Sequence, residues 1–299
     1  MNRALRHLLR MVVVMLCAQP AVAGWLDAFY ATPKGHLLIV GGGDTPIEVQ
    51  ERFVTLAGGP GRARIALLPM ASTEYDEEAR EVEADFRKLG AETRLLNISH
   101  EEAQQEAVGR QLREFDAYWF LGGDQSRLAS VLVGTAALEV IERRYEEGAT
   151  IGGTSAGASV MSSVMLTGRV RQPRDAEEIE LSNIAREIID VSKGFGFFKG
   201  AIVDQHFMMR PRYNRLISAT LDHPQLVGVG IDEETALLVR PDGVWEVLGR
   251  YYVKLFDARR ARVIGDAGPM ARASDIRMHV LPAGSTFNPK NRKVTFPAN

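Results

Sequence analysis

Apolar and polar positions along this chain fall into blocks with two different periods. "GHLLIVGGGD", "AYWFLGGD" and "GATIGGTSAG" are short apolar runs that break at glycines, and each reads as a buried strand entering a turn. "ARIALLPMAS" is a strand ending at a polar loop, and "ETRLLNI" is a shorter strand. Between these runs the spacing becomes helical. Ala79, Val82, Phe86 and Leu89 share one face of a helix over residues 75–89. Residues 101–115 predict a polar helix and 136–147 another. "ASVMSSVML" predicts a helix after the last of the glycine turns. The pattern loosens over 169–193, where "GRVRQPRDAEEIELSN" reads as a charged surface excursion that could carry part of a site. Beyond it, "GAIVDQHF" predicts a strand, 212–221 a helix, and "LVGVGIDEETALLV" one or two strands. "GVWEVLG" and "YYVKLFDA" alternate as strands do, and edge strands and loops follow from about Arg259. This alternation predicts an α/β fold: a mostly parallel sheet sandwiched by helices, with extra β elements at the C-terminus.

The first residues follow a different logic. Arg3, Arg6 and Arg10 precede the apolar "MVVVMLCA", and "AVAG" places Ala21 and Ala23 at small-residue cleavage positions. That order predicts a signal peptide over 1–23 and a single α/β/α hydrolase domain over 24–299. A buried N-terminal helix would not require that sequence of charge, apolar run and Ala-x-Ala. The run is too short to span a bilayer comfortably. The expectation is an exported protein, periplasmic or extracellular, with no stable membrane anchor after cleavage. Cys17, the only cysteine, lies in this segment. The mature chain would therefore have no disulfide, no thiol nucleophile and no cysteine metal site. The full sequence has 45% hydrophobic and 25% charged residues, which are globular proportions. A net charge of -2 with mixed signs gives no reason to expect a nucleic-acid partner.

In open parallel sheets, ligands bind beyond the carboxyl ends of the strands. "IVGGGD", "FLGGDQ" and "IGGTSAG" could therefore line one crevice. None has the spacing of a dinucleotide or P-loop motif. The last contains Gly153-Thr-Ser155-Ala-Gly157, a G-x-S-x-G pattern between an apolar strand and an expected helix. Small flanking residues let the backbone fold sharply and expose the serine hydroxyl. The amides of Ala156 and of a glycine in "LGGDQ", Gly123, could hold an oxyanion. The pentapeptide alone fits equally a glycine-rich turn capped by Ser155.

A serine hydroxyl needs a base. His36, His100 and His223 read as solvated or capping residues, and His279 lies in the late β region. His206 ends the apolar run "AIVDQHF", so it can emerge on the same edge as Ser155. An acid must orient the imidazole, and the order Ser, acid, His is usual for this turn. Asp175, Glu177, Glu178, Glu180, Glu187 and Asp190 all lie between Ser155 and His206, and spacing does not choose among them.

Taken together, "FLGGDQSRL", "GGTSAGASVM", "GFGFFKGAIVDQHFMMRPRYNRL" and "VGVGIDEETA" resemble the cyanophycinases, in the serine peptidase group that includes peptidase E, an aspartyl dipeptidase. The resemblance implies a fold like the class I glutamine amidotransferases, of flavodoxin-like type. It implies Ser155 as nucleophile, His206 as base and, from "ELSN", Glu180 as acid. It also implies a pocket lined by Gln125, Asp204, Gln205, Arg210, Arg212 and Arg215. The implied substrate is a peptide polymer, polyaspartate with arginine on each side-chain carboxylate, cut to β-Asp-Arg dipeptides. Arginine forks suit its carboxylates, and an acid such as Asp204 suits its guanidiniums. No metal or organic cofactor is expected, and a homodimer is compatible with the sequence. The alternatives are a peptidase E-like exopeptidase or isopeptidase on other acidic peptides, and a non-catalytic binding protein of the same fold.

Overall fold

The apolar runs become the centre of one sheet in a computed structural model, which describes residues 33–74, 76–171, 183–265 and 270–298. Strands β1 (Leu37–Val40), β2 (Arg64–Leu68), β3 (Glu92–Leu95), β4 (Ala117–Phe120) and β5 (Thr150–Thr154) lie parallel in the order β1-β5-β4-β2-β3. Helix α1 (Ile47–Leu56) links β1 to β2, and α2 (Asp76–Lys88) links β2 to β3. Helices α3 (His100–Ala103) and α4 (Glu106–Leu112) precede β4. Helices α5 (Gln125–Leu132) and α6 (Ala136–Glu147) precede β5.

Alternate strand residues face opposite helical layers. Leu37, Ile39, Tyr118, Phe120 and Ile151 join one buried cluster. Leu38, Val40, Ile65, Leu67 and Trp119 join the other. In the second cluster Phe53 of α1 and Phe86 of α2 pack edge-on against Trp119, with centroids 4.9 and 5.2 Å away. Burial on both faces is why these strands read as unbroken apolar runs.

The chain after β5 builds less regular pieces. Helix α7 (Ala156–Ser159) is followed by the antiparallel pair β6 (Val164–Val170) and β7 (Ile189–Lys193). Then come β8 (Ala201–Asp204), α8 (Tyr213–Asp222), β9 (Val227–Ile231), β10 (Thr235–Val239), β11 (Trp245–Gly249) and β12 (Tyr252–Asp257). Short strands β13 (Arg262–Ile264), β14 (Arg272–Ser274), β15 (Arg277–Pro282), β16 (Thr286–Asn288) and β17 (Lys293–Thr295) complete the described chain. Strands β10, β11, β16 and β17 extend the central sheet antiparallel beyond β1, giving nine strands among the described residues. A separate four-stranded sheet has the order β15-β12-β9-β8, with β8 and β9 parallel.

The α/β architecture with extra C-terminal strands is the one the pattern predicts. Three details differ. The helix expected over 101–115 is two helices, because Ser99 and Glu102 form a capping box that starts α3 and the chain turns extended at Gln105 before α4. The helix expected over "ASVMSSVML" stops after four residues. There the carbonyls of Val160, Met161 and Ser163, which a continued helix would need for the amides of Val164, Met165 and Thr167, accept instead from the amides of Phe195, Phe198 and Gly194. The supposed excursion over 169–193 ends in a strand, β7. The signal segment expected over 1–23 lies outside the described residues.

Candidate active site

Strand β5 ends at Thr154, and the next residue, Ser155, has φ 54° and ψ -113°, a backbone conformation an L-residue rarely adopts. The chain doubles back so tightly that a Cβ on Gly153 would lie 2.8 Å from the Gly157 oxygen, and one on Gly157 would lie 2.1 Å from the Phe120 oxygen. The G-x-S-x-G spacing is thus a steric requirement of this turn. It holds the hydroxyl at the carboxyl edge of the sheet.

The end of β1 fixes what surrounds it. The Val40 carbonyl accepts from the Ser155 amide at 3.2 Å, the Gly41 carbonyl from the His206 amide at 2.6 Å, and the Gly42 carbonyl from the Glu234 amide at 3.0 Å. Three consecutive carbonyls therefore hold three separate segments. His206 follows β8, and Glu233 follows β9. These strands are parallel neighbours with Asp204 opposite Gly230, so residues just past their ends emerge side by side.

The result is a continuous hydrogen-bonded line. Ser155 Oγ lies 2.9 Å from His206 Nε2, and His206 Nδ1 lies 2.5 Å from Glu233 Oε1. The carboxylate can only accept, so Nδ1 carries the proton and Nε2 is left to accept from the serine. Burial is the largest influence on His206 and lowers its pKa; the charges of Arg210 and Arg212 lower it further, while Glu233 opposes them. The neutral ring therefore persists to lower pH than in a free histidine. Arg210→Ala removes one of the lowering charges. The acid limb of its kcat/KM profile should move to higher pH than in the wild type, and an unmoved limb would show that His206 does not feel this charge.

The carboxylate on the imidazole is Glu233, not one between Ser155 and His206. Glu180 lies outside the described residues, as do Asp175, Glu177 and Glu178. The Nδ1 position assigned to Glu180 is occupied by Glu233. Of the remaining candidates, Asp190 accepts from Thr167 Oγ1 and Glu187 donates its amide to Asp222.

The other expected residues gather around the same edge. A Cβ on Gly122 would lie 3.6 Å from Ser155 Cβ, which puts the β4–α5 turn beside the hydroxyl. Among the described residues, neither the Gly123 nor the Ala156 amide has a backbone acceptor. Asp204 is 1% exposed and receives both Arg215 Nε, at 2.9 Å, and Arg215 Nη2. Arg212 Nη1 donates to the Gln205 backbone at 2.6 Å and to its side chain at 3.0 Å, and lies 3.5 Å from Asp204. Asp204 therefore orients two arginines and is closed to a guanidinium from outside, contrary to the expectation for it. A Cβ on Gly168 would lie 3.3 Å from Gln125 Nε2 and 4.0 Å from Arg215 Nη1, so Gln125 and Arg215 flank one point of β6. Arg210 is exposed, and its amide donates to the His206 carbonyl at 3.0 Å. Among the described residues there is no cluster of three His, Cys, Asp or Glu that could hold a metal, and no helix long and apolar enough to cross a membrane.

The family model for Peptidase family S51 matches residues 37–247. The cyanophycinase of Trichormus variabilis is 33% identical over 270 residues, covering 87% of this chain and 88% of the relative. That of Geminocystis herdmanii is 31% identical over 271 residues, covering 87% and 96%. A solved peptidase from an acI-B1 Actinobacterium shares the fold at TM-score 0.62 and 22% identity, covering 87% of this chain and 99% of its own. A putative peptidase E from Listeria monocytogenes EGD-e does so at TM-score 0.50 and 17% identity, covering 72% and 98%. The segment matched by the family model contains the ends of β1, β5, β8 and β9, where the hydrogen-bonded line is assembled. On that match the chain belongs to peptidase family S51, and it is a serine-type peptidase.

Proposed function

We propose that this peptidase hydrolyses cyanophycin, multi-L-arginyl-poly-L-aspartate, to β-Asp-Arg dipeptides through Ser155, His206 and Glu233. The line from Ser155 Oγ through both ring nitrogens of His206 to Glu233 carries the proposal. Ser155 Oγ attacks an aspartyl main-chain carbonyl while Nε2 takes its proton. The oxyanion is held by the Gly123 and Ala156 amides, whose backbone acceptors are missing among the described residues. Collapse breaks the C–N bond, and the leaving amine takes the proton from Nε2. Water then repeats the sequence on the acyl-serine and regenerates the hydroxyl. The Glu233 carboxylate orients the ring and stabilises the imidazolium.

The polymer reading rests on the cyanophycinase relatives and on Arg215, whose guanidinium is steadied by buried Asp204 beside Gln125. With Nε and Nη2 held by Asp204, the Nη1 edge of the guanidinium is the part left to meet a substrate carboxylate. The rival substrates are Asp-X dipeptides, as for a peptidase E. The deciding experiment pairs a fluorophosphonate probe with two substrates. Wild type should be labelled and should release β-Asp-Arg from the polymer in preference to cleaving Asp-X dipeptides, and Ser155→Ala should not be labelled. A folded wild type that takes no label would leave a binding protein. Label with turnover of dipeptides alone would leave the peptidase E reading. Export belongs to the same proposal, since a polymer too large to import must be cut outside. N-terminal sequencing of the mature protein should begin at Gly24, and an intact N-terminus would reject export by this signal.

A further inference from the structure

A local surplus of positive charge lies away from the catalytic edge. A cleft of about 940 Å³ opens among the C-terminal strands and is lined by Arg259, Arg260, Arg262, Arg277 and Arg292. Against these guanidiniums the described lining has two carboxylates, Asp257 and Asp275. The whole chain has a net charge of -2, so this surplus is local. The arginines come from the turn after β12, from β13, from β15 and from the turn between β16 and β17. All of them lie beyond the segment that defines the family.

The pairing within the cleft is incomplete. Asp257 is shared by Arg292 and Arg259, the latter at 3.5 Å, and Asp275 meets Arg262 at 3.9 Å with both side chains exposed. Arg260 and Arg277 make no ion pair among the described residues. Arg292 has φ 58°, and its buried Nε has no hydrogen-bond partner. Five guanidiniums share two carboxylates, and the uncompensated positive charge opposes itself, which a bound anion would relieve.

Resting on the polymer reading above, we propose that this cleft is a second binding site, which holds a stretch of the same polymer outside the catalytic pocket. Two features choose this ligand class. The arginines are spread over several elements, which suits carboxylates repeated along a chain better than a single compact anion. The interspersed Asp257 and Asp275 disfavour a dense polyanion, and the exposed Asp275, only loosely met by Arg262, offers a partner to a chain that carries both a carboxylate and a guanidinium in each repeat. The cleft is also remote from the chemistry. Along β12, Val253 pairs with Ile231 at the catalytic end, while Asp257 pairs with Val227. At about 3.4 Å per residue the two ends of that ladder are roughly 14 Å apart. The scissile bond and the held stretch are therefore different parts of a long molecule.

The test compares Arg260→Ser/Arg277→Ser with wild type on insoluble cyanophycin and on a soluble fragment too short to reach both sites. Half-saturation on the polymer should rise about tenfold, as expected for losing charge-assisted contacts, while kcat/KM on the fragment stays unchanged. Pelleting of the Ser155→Ala protein with polymer should weaken by the same factor when both arginines are replaced. Unchanged fragment kinetics also report an intact fold. An equal fall on both substrates, no fall on either, or displacement of the protein from polymer by equimolar polyphosphate would overturn the proposal. Failure of the polymer reading itself looks different, because wild type would then cleave neither polymer nor fragment.

Discussion

Glu233→Gln is expected to lower kcat by about four orders of magnitude with KM little changed, the scale found when a triad carboxylate becomes an amide. The cause is the tautomer. Glu233 can only accept, and it sits 2.5 Å from Nδ1. A glutamine there can turn its amide nitrogen toward the ring and favour the proton on Nε2. That nitrogen then faces Ser155 as a donor and cannot take the hydroxyl proton. Removing the carboxylate also removes an influence that raises the His206 pKa, so any residual activity should have its acid limb at lower pH than the wild type. Glu180→Gln is the matching control. Turnover kept by Glu233→Gln and lost by Glu180→Gln would return the acid to the interval between Ser155 and His206 and reject the relay.

Gly42→Ala should cost about a hundredfold or more in kcat while leaving substrate affinity nearly intact, because a shift of about 1 Å in a catalytic group has that effect. Gly42 has φ 102°, and a Cβ there would lie 2.3 Å from His206 Cε1 and 2.5 Å from Nε2. Carbon atoms pack at about 3.5–4.0 Å, so the ring has to move by at least about 1 Å. It moves off Ser155 and Glu233 together. Gly43→Ala makes the milder comparison, since its Cβ would approach the Glu233 side chain to 3.1 Å, beside the carboxylate and not against the ring. Both positions have positive φ, so both variants carry a backbone strain of about 1–3 kcal/mol, and only the first adds the displacement. Near-wild-type turnover by Gly42→Ala would mean that the ring's position is not set from β1.

How far the site could be read from the sequence depended on how local its causes are. The turn at Ser155 was legible because its steric demand falls on residues two positions away, Gly153 and Gly157. His206 was legible because a buried run, "AIVDQHF", ends just before it. "GVGIDEE" has the same form, an apolar strand running out into acids, and it ends at Glu233 and Glu234. The usual order of Ser, acid, His points to the interval before His206, whereas the acid on the ring lies after it. What places Glu233 on the imidazole is the adjacency of β8 and β9, a pairing across residues 201–231 that no local spacing encodes. The separate four-stranded sheet was hidden for the same reason, since β9 and β10 read as one stretch and join different sheets. Strands β1, β2, β4 and β5 were clear because burial on both faces leaves a short buried run in each, whereas the edge strand β3 keeps Glu92 and Arg94 exposed.

The carbonyls of Val40, Gly41 and Gly42 work as a ruler. Their spacing is set by covalent bond lengths, so the separation between nucleophile and base depends little on how well the hydrophobic layers fill. Drift among the apolar side chains behind the sheet can therefore proceed without detuning the chemistry. A change in the number of residues in that short segment cannot, because every anchor would slip by a peptide unit at once.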